Sequence, residues 1–83
     1  MKTVEEIRNE LAAIASELRT EDAGAARQLD ALNNTFYTTT TEYLVEIMGT
    51  LQSLCGQDSL RNSKSLGRLG ALERSARQLA NLR

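Results

Sequence analysis

Side chains that commonly carry out chemistry are few in this sequence. It contains no histidine and a single cysteine, Cys55. Without histidine the commonest general base is missing, and the Ser–His and Cys–His pairs of nucleophilic catalysis cannot form. Cys55 is expected at the C-terminal end of a helix, where the negative end of the helix dipole disfavours a thiolate. We interpret it as a small packing residue, and we expect the protein not to be an enzyme.

Glutamates spaced four residues apart are the remaining candidates for a metal site. Glu6 with Glu10, and Glu42 with Glu46, would each lie on one face of a helix. Di-iron helical bundles combine such glutamates with a Glu-x-x-His motif, which needs a histidine that this chain lacks. The glycine-rich motifs that bind phosphate are also missing from the sequence. We therefore expect solvated acidic faces, with no catalytic residue, metal or cofactor.

The C-terminal part of the chain concentrates positive charge. Residues 1–58 hold ten acidic and four basic side chains, net −6, whereas residues 59–83 hold six basic and one acidic, net +5. The basic residues that could contact a partner or phosphates are Arg61, Lys64, Arg68, Arg74, Arg77 and Arg83. On a helix, Arg74 and Arg77 would share one face with Gln78 and Asn81, and such a face can read base edges in a major groove.

Two features weigh against nucleic-acid binding by this basic region. No aromatic residue interleaves its cations, and no helix-turn-helix pattern precedes them. Cations near the end of a helix also interact favourably with its dipole, and Glu73 with Arg77 has the spacing of an ordinary ion pair within a helix. A regulator that binds nucleic acid through the last helix is therefore the alternative to a protein-binding function.

Tyr37 is the other candidate for partner binding. All three aromatic residues, Phe36, Tyr37 and Tyr43, lie inside or beside the stretch Asn33–Thr41. If the chain breaks there, Tyr37 lies in a loop next to Phe36, and the two rings cannot easily be buried together. An exposed tyrosine is a compact contact residue, since aromatic side chains are enriched at binding hot spots. In the alternative, the Tyr37 ring folds over the end of the core.

Helical periodicity supplies the elements that would position these residues. The chain has no proline and is rich in residues that favour helices. Thr3 and Glu6 have the spacing of a capping box, and apolar residues then recur in steps of three and four up to Leu18. We predict an all-α four-helix bundle of short antiparallel helices, at about residues 3–19, 22–36, 41–55 and 64–82.

The details of this bundle give further expectations. The inward face of the second helix is expected to run from Ala26 to Phe36. Gly56 should end the third helix, and Ser63 or Ser65 should cap the last one.

The stretch from Asn33 to Thr41 decides between four helices and three. It contains nine consecutive residues of weak helix propensity, which together cost on the order of 5 kcal/mol as helix interior. Thr39 and Glu42 have the spacing of a capping box that would start a new helix. The apolar spacing nevertheless continues across the stretch and supports an alternative with a central helix over residues 22–55. Its uncovered apolar stripe would require a second chain, which predicts a homodimer.

These observations predict one helical domain over residues 1–83. No apolar run approaches the length of a membrane span, so we expect no membrane contact. A lone cysteine, with no basic-then-apolar leader after Met1, indicates a cytoplasmic protein. We expect a small non-enzymatic protein that binds another protein as an adaptor, inhibitor or regulator.

Overall fold

The structure, a computed structural model, describes residues 3–82. This part of the chain forms no strand and four α-helices: α1 (Val4–Leu18), α2 (Ala23–Asn34), α3 (Thr40–Cys55) and α4 (Leu66–Asn81). A short 3₁₀ helix, Asp58–Leu60, lies between α3 and α4. The predicted all-α bundle of four short antiparallel helices is confirmed. None of the described helices is both long and apolar enough to cross a membrane.

Side-chain hydrogen bonds fix the start of the first two helices. Thr3 forms the predicted capping box with Glu6, because the Glu6 amide donates to the Thr3 hydroxyl and the Glu6 carboxylate accepts from the Thr3 amide. The Asp22 carboxylate accepts from the third amide of α2 at 3.1 Å. Ser65 occupies the N-cap position of α4, as one of the two predicted alternatives, but it makes no side-chain capping hydrogen bond. The Ser63 hydroxyl accepts from the Ser65 amide, one residue before α4 begins.

Threonine side chains interrupt the chain between α2 and α3. The Thr35 hydroxyl donates to the Ala31 carbonyl at 2.6 Å, and Thr35 itself is extended. The Thr39 hydroxyl caps α3 by accepting from the Glu42 amide at 3.1 Å. The Glu42 carboxylate accepts from the amide of Thr38. In a standard capping box it would accept from the amide of Thr39, so this second bond is shifted by one residue towards the N-terminus. These local bonds compete with helix continuation, and the alternative of one central helix over residues 22–55 is therefore wrong.

The hydrophobic core is built from apolar stripes on all four helices. α1 packs mainly against α2, and α3 mainly against α4, with smaller contacts between α1 and α4 and between α2 and α3. The largest fully buried side chains are Ile7, Leu11, Ile14, Leu18, Leu29, Leu44, Ile47, Leu51, Leu54, Leu60, Leu69 and Leu72. Leu60 belongs to the 3₁₀ helix, where helical periodicity gives no indication of burial. Phe36 is exposed, contrary to expectation, because α2 ends at Asn34.

Candidate protein-binding surface

Hydrogen bonds tie together the two connections at one end of the bundle. The Ser59 hydroxyl donates to Asp22 at 2.8 Å, and the Ser63 hydroxyl donates to Glu21 at 3.1 Å. The bond from Ser59 is the largest of the contacts that lower the pKa of the Asp22 carboxyl. These bonds join the turn after α1 to the connection before α4. We call this region, residues 19–22 and 56–65, the closed end.

Arg68, one of the predicted contact residues, lies beside the closed end in an ion pair. Its Nη1 is 2.6 Å from Glu17 Oε2, on α1. The same oxygen accepts a hydrogen bond from the buried hydroxyl of Ser65 at 3.3 Å. The guanidinium therefore links α4 to α1, and a phosphate would have to compete with Glu17 for it. The structure thus gives Arg68 an internal role.

Arg77 is paired as well, with the acidic residue expected from its spacing. It donates to the Glu73 carboxylate, which is 8% exposed and also accepts from the Gln52 amide group at 3.0 Å. This arrangement joins α3 to α4 through a half-buried polar contact. Burial, and then the Glu73 charge, raises the pKa of the Cys55 thiol. A raised pKa agrees with Cys55 as a packing residue and opposes its use as a nucleophile.

Three predicted contact residues on α4 are exposed. The side chains of Arg74, Gln78 and Asn81 make no hydrogen bond or ion pair with any residue between 3 and 82. Their spacing places them on one face of α4. Arg83 lies outside the described residues. Of the arginines predicted to contact a partner, Arg68 and Arg77 each pair with a carboxylate, and only Arg74 is without an acidic partner in the described chain.

The opposite end of the bundle carries apolar side chains at its surface. Phe36 is 91% exposed and Val45 on α3 is 51% exposed. Tyr37 is half-buried against the core, with its ring centroid 5.3 Å from that of Tyr43. The ring of Tyr37 thus folds over the end of the core, and Phe36 is the aromatic residue that extends into solvent. We call residues 35–46 the open end, and Phe36, Tyr37 and Val45 its apolar surface.

Tyr43 is the buried residue on which the Tyr37 ring of this surface packs. Its hydroxyl donates to Asn33 Oδ1 at 2.7 Å. The Arg8 guanidinium carbon lies 5.3 Å from the centroid of the Tyr43 ring, within the range of a cation–π contact. Asn33 also donates to the backbone carbonyl of Arg8 at 3.0 Å. Burial is the main cause of a raised pKa for Tyr43. The Tyr37 ring therefore packs on a residue held by both α1 and α2.

Grooves meet on either side of the Tyr37 ring. One, of about 400 Å³, is lined by Tyr37, Thr41, Glu42, Val45 and Glu46. A second, of about 440 Å³, lies between α2 and α3 and shares Tyr37 and Glu46 with the first. Both volumes are at the small end of ordinary binding pockets, on the order of 300 to 1,000 Å³. They can accept one or two side chains from a partner.

Several residues of this surface were not predicted as contact residues. Phe36 was expected in the core, and Val45 and Glu46 were given no role in partner binding. Val45 could have been found from the helical period, because it does not share the three- and four-residue spacing of the buried stripe through Leu44 and Ile47.

The two ends of the bundle therefore offer surfaces for contact. Across residues 3–82, no group of three acidic or cysteine side chains is placed to hold a metal ion. No protein-family model matches this chain, and neither the curated proteins nor the solved structures compared with it gave a match. Function has to be inferred from the surface itself.

Proposed function

We propose that this protein is a small non-enzymatic module that works by occupying a surface of another protein. The observation that carries the proposal is Phe36, a large aromatic side chain that is 91% exposed. Burying such a side chain against a partner would contribute roughly 1.5 to 3 kcal/mol. Phe36 and Tyr37 line one groove, and Tyr37 and Val45 line another, so Tyr37 is common to both. Aromatic residues are enriched where binding energy is concentrated.

The way in which Phe36 is held also supports binding. Its loop is short and lies between Thr35, which bonds to the end of α2, and Thr39, which caps α3. Tyr37 packs on Tyr43 immediately beside it. A side chain presented from an ordered backbone loses less conformational entropy on binding than one in a flexible segment. A module of this kind would act as an adaptor, inhibitor or regulator by covering or bridging partner surfaces.

Nucleic-acid binding through α4 is the second candidate. It is supported by Arg74, Gln78 and Asn81, which are exposed without internal partners in the described chain. It is weakened by the ion pairs of Arg68 and Arg77, because a paired arginine must leave its carboxylate to neutralise a phosphate. The two candidates use different faces and can be separated by single substitutions.

Capture from the cells that produce the protein tests the first candidate. Wild-type protein and a Phe36→Ser variant would be immobilised beside a matched control, Leu82→Ser, which changes another exposed apolar side chain. We expect a protein that is captured by the wild type and the Leu82 variant and lost with Phe36→Ser. The proposal would be contradicted if no protein is captured, or if the wild type and the Phe36→Ser variant capture the same proteins in the same amounts.

Filter binding across salt concentrations tests the second candidate. Phosphate contacts make affinity fall steeply as salt increases. Affinity that shows this dependence and is lost in Arg74→Glu would favour nucleic acid over protein. Binding that is absent, or insensitive to salt, would remove the second candidate.

A further inference from the structure

The groove over Tyr37 and Val45 combines an apolar floor with negative charge. Glu42 and Glu46 line it, and none of its lining residues is basic. Glu46 also lines the neighbouring groove between α2 and α3, where the lining residues again include no base. A ligand would therefore meet two carboxylates in the first groove and one in the second, with no cation in either lining. The nearby Arg8 lines a third groove, which shares Tyr37 and includes Phe36.

The charge of Glu46 is not balanced within the described protein. Glu46 is exposed, and its carboxylate makes no hydrogen bond or ion pair with residues 3–82. Glu42 uses Oε2 to accept from the Thr38 amide. That bond leaves its other carboxylate oxygen without a bond to the described chain. Both carboxylates are in place to receive a donor from outside.

We infer that this groove binds a basic and apolar segment of a partner protein, with an apolar side chain against Tyr37 and Val45 and a lysine or arginine against Glu46. The inference rests on the proposed function and specifies the chemistry of the partner. Charge complementarity carries it, because opposite charges across an interface speed association and select the partner. The apolar contact supplies the affinity, and the ion pair sets which segments are accepted.

The same charges disfavour a second copy of this chain as the occupant. A two-fold symmetric dimer through this surface would bring Glu42 and Glu46 of each copy towards the same groove of the other. Like charges would then face one another across the apolar contact. The basic face of α4 could meet the groove only in a head-to-tail arrangement, which leads to rings or open filaments.

Selection from a phage-displayed library of random short peptides tests the inference. The wild type would be compared with Glu46→Lys, with Phe36→Ser and with Asp58→Lys, which makes the same change of charge at the closed end. Circular dichroism would establish that each variant is folded. We expect the wild type to enrich peptides that place lysine or arginine beside a large apolar residue. Glu46→Lys should weaken their binding about two- to fivefold, the range for an exposed ion pair, and Asp58→Lys should leave it unchanged.

The possible failures are distinguishable. Peptides that need Phe36 but carry no base, and that bind Glu46→Lys as well as the wild type, would overturn the basic-segment inference and leave the proposed function standing. If no enriched peptide depends on Phe36 for binding, both the basic-segment inference and the proposed function are contradicted. Sedimentation of the wild type and of Glu46→Lys tests whether a second copy of this chain occupies the groove. A wild-type dimer that dissociates in Glu46→Lys would identify that second copy as the occupant and overturn the inference.

Discussion

At the closed end, three serine hydroxyls of the connection between α3 and α4 donate to carboxylates on α1 and in the turn after it. Beneath them, Leu60 is completely buried. At the open end the connection is capped by threonines, yet Phe36 projects into solvent and Tyr37 is only half-buried. One end therefore satisfies its side chains within the chain, and the other leaves apolar area for an external contact. This difference is the basis for proposing recognition at the open end, and it predicts that the closed end contributes more to stability.

The largest effect is expected for a substitution under the closed end. Leu60→Ala removes a fully buried side chain and leaves a cavity, so it should lower the free energy of unfolding by about 2 to 5 kcal/mol. The matched change Leu82→Ala, at a side chain that is 67% exposed, should alter it by less than about 0.5 kcal/mol. Urea denaturation measures both. Similar values for the two variants would contradict the buried position of Leu60.

A smaller effect is expected at the cap of α3. Thr39→Ala removes the side-chain acceptor for the Glu42 amide and should cost about 1 kcal/mol. Thr41→Ala lies in the first turn of the same helix without a capping bond and serves as the control. It should stay within about 0.5 kcal/mol of the wild type in the same urea titration. A loss at Thr41 equal to that at Thr39 would place the start of α3 elsewhere.

The closed end should also show a specific acid response at Asp22. Because the folded state lowers the pKa of this carboxyl below its usual value of 3.8, the stability that it contributes is present above that value and is lost as the pH falls through the folded pKa. An NMR titration should find the lowered pKa in the wild type. Ser59→Ala removes the largest cause and should move the pKa back towards 3.8. An unchanged pKa in that variant would show that the Ser59 bond is not the cause.

The smallest effect on stability is expected at the open end. Phe36→Ser removes a ring that is almost fully exposed, so the free energy of unfolding should change by less than about 0.5 kcal/mol. Thermal or urea unfolding of the variant provides the measurement. A large loss would mean that Phe36 supports the fold, and the contrast between the two ends would then disappear.

The features that could be predicted from the sequence depend on residues close together in the chain. The capping box at Thr3 and the cap at Thr39 each involve residues three apart, and the four helices follow from them and from the apolar spacing. Leu60 could not be placed in the core, because its burial depends on how the connection before α4 folds back. The prediction that Phe36 faces the core depends on α2 continuing as far as that residue. Because α2 ends at Asn34, two residues earlier, Phe36 lies in the following loop and is exposed to solvent.

The same distinction applies to the predicted contact residues on α4. The pairing of Arg77 with Glu73 could be anticipated, since the two are four residues apart on one helix. The pairing of Arg68 with Glu17 could not, because it forms only when α4 packs against α1. Arg74 keeps the exposed position expected of it. Sequence spacing therefore anticipates the ion pair within α4 but not the one between α4 and α1.

Site-specific photo-crosslinking in the producing cells is the most direct test of recognition by the open end. A photoreactive phenylalanine analogue would replace Phe36 in one variant and Asn62, which is exposed at the closed end, in a matched one. Illumination should join the Phe36 variant to a distinct partner protein and leave the Asn62 variant without that product. No product from position 36, or the same product from both positions, would contradict a binding surface formed by the exposed loop between α2 and α3.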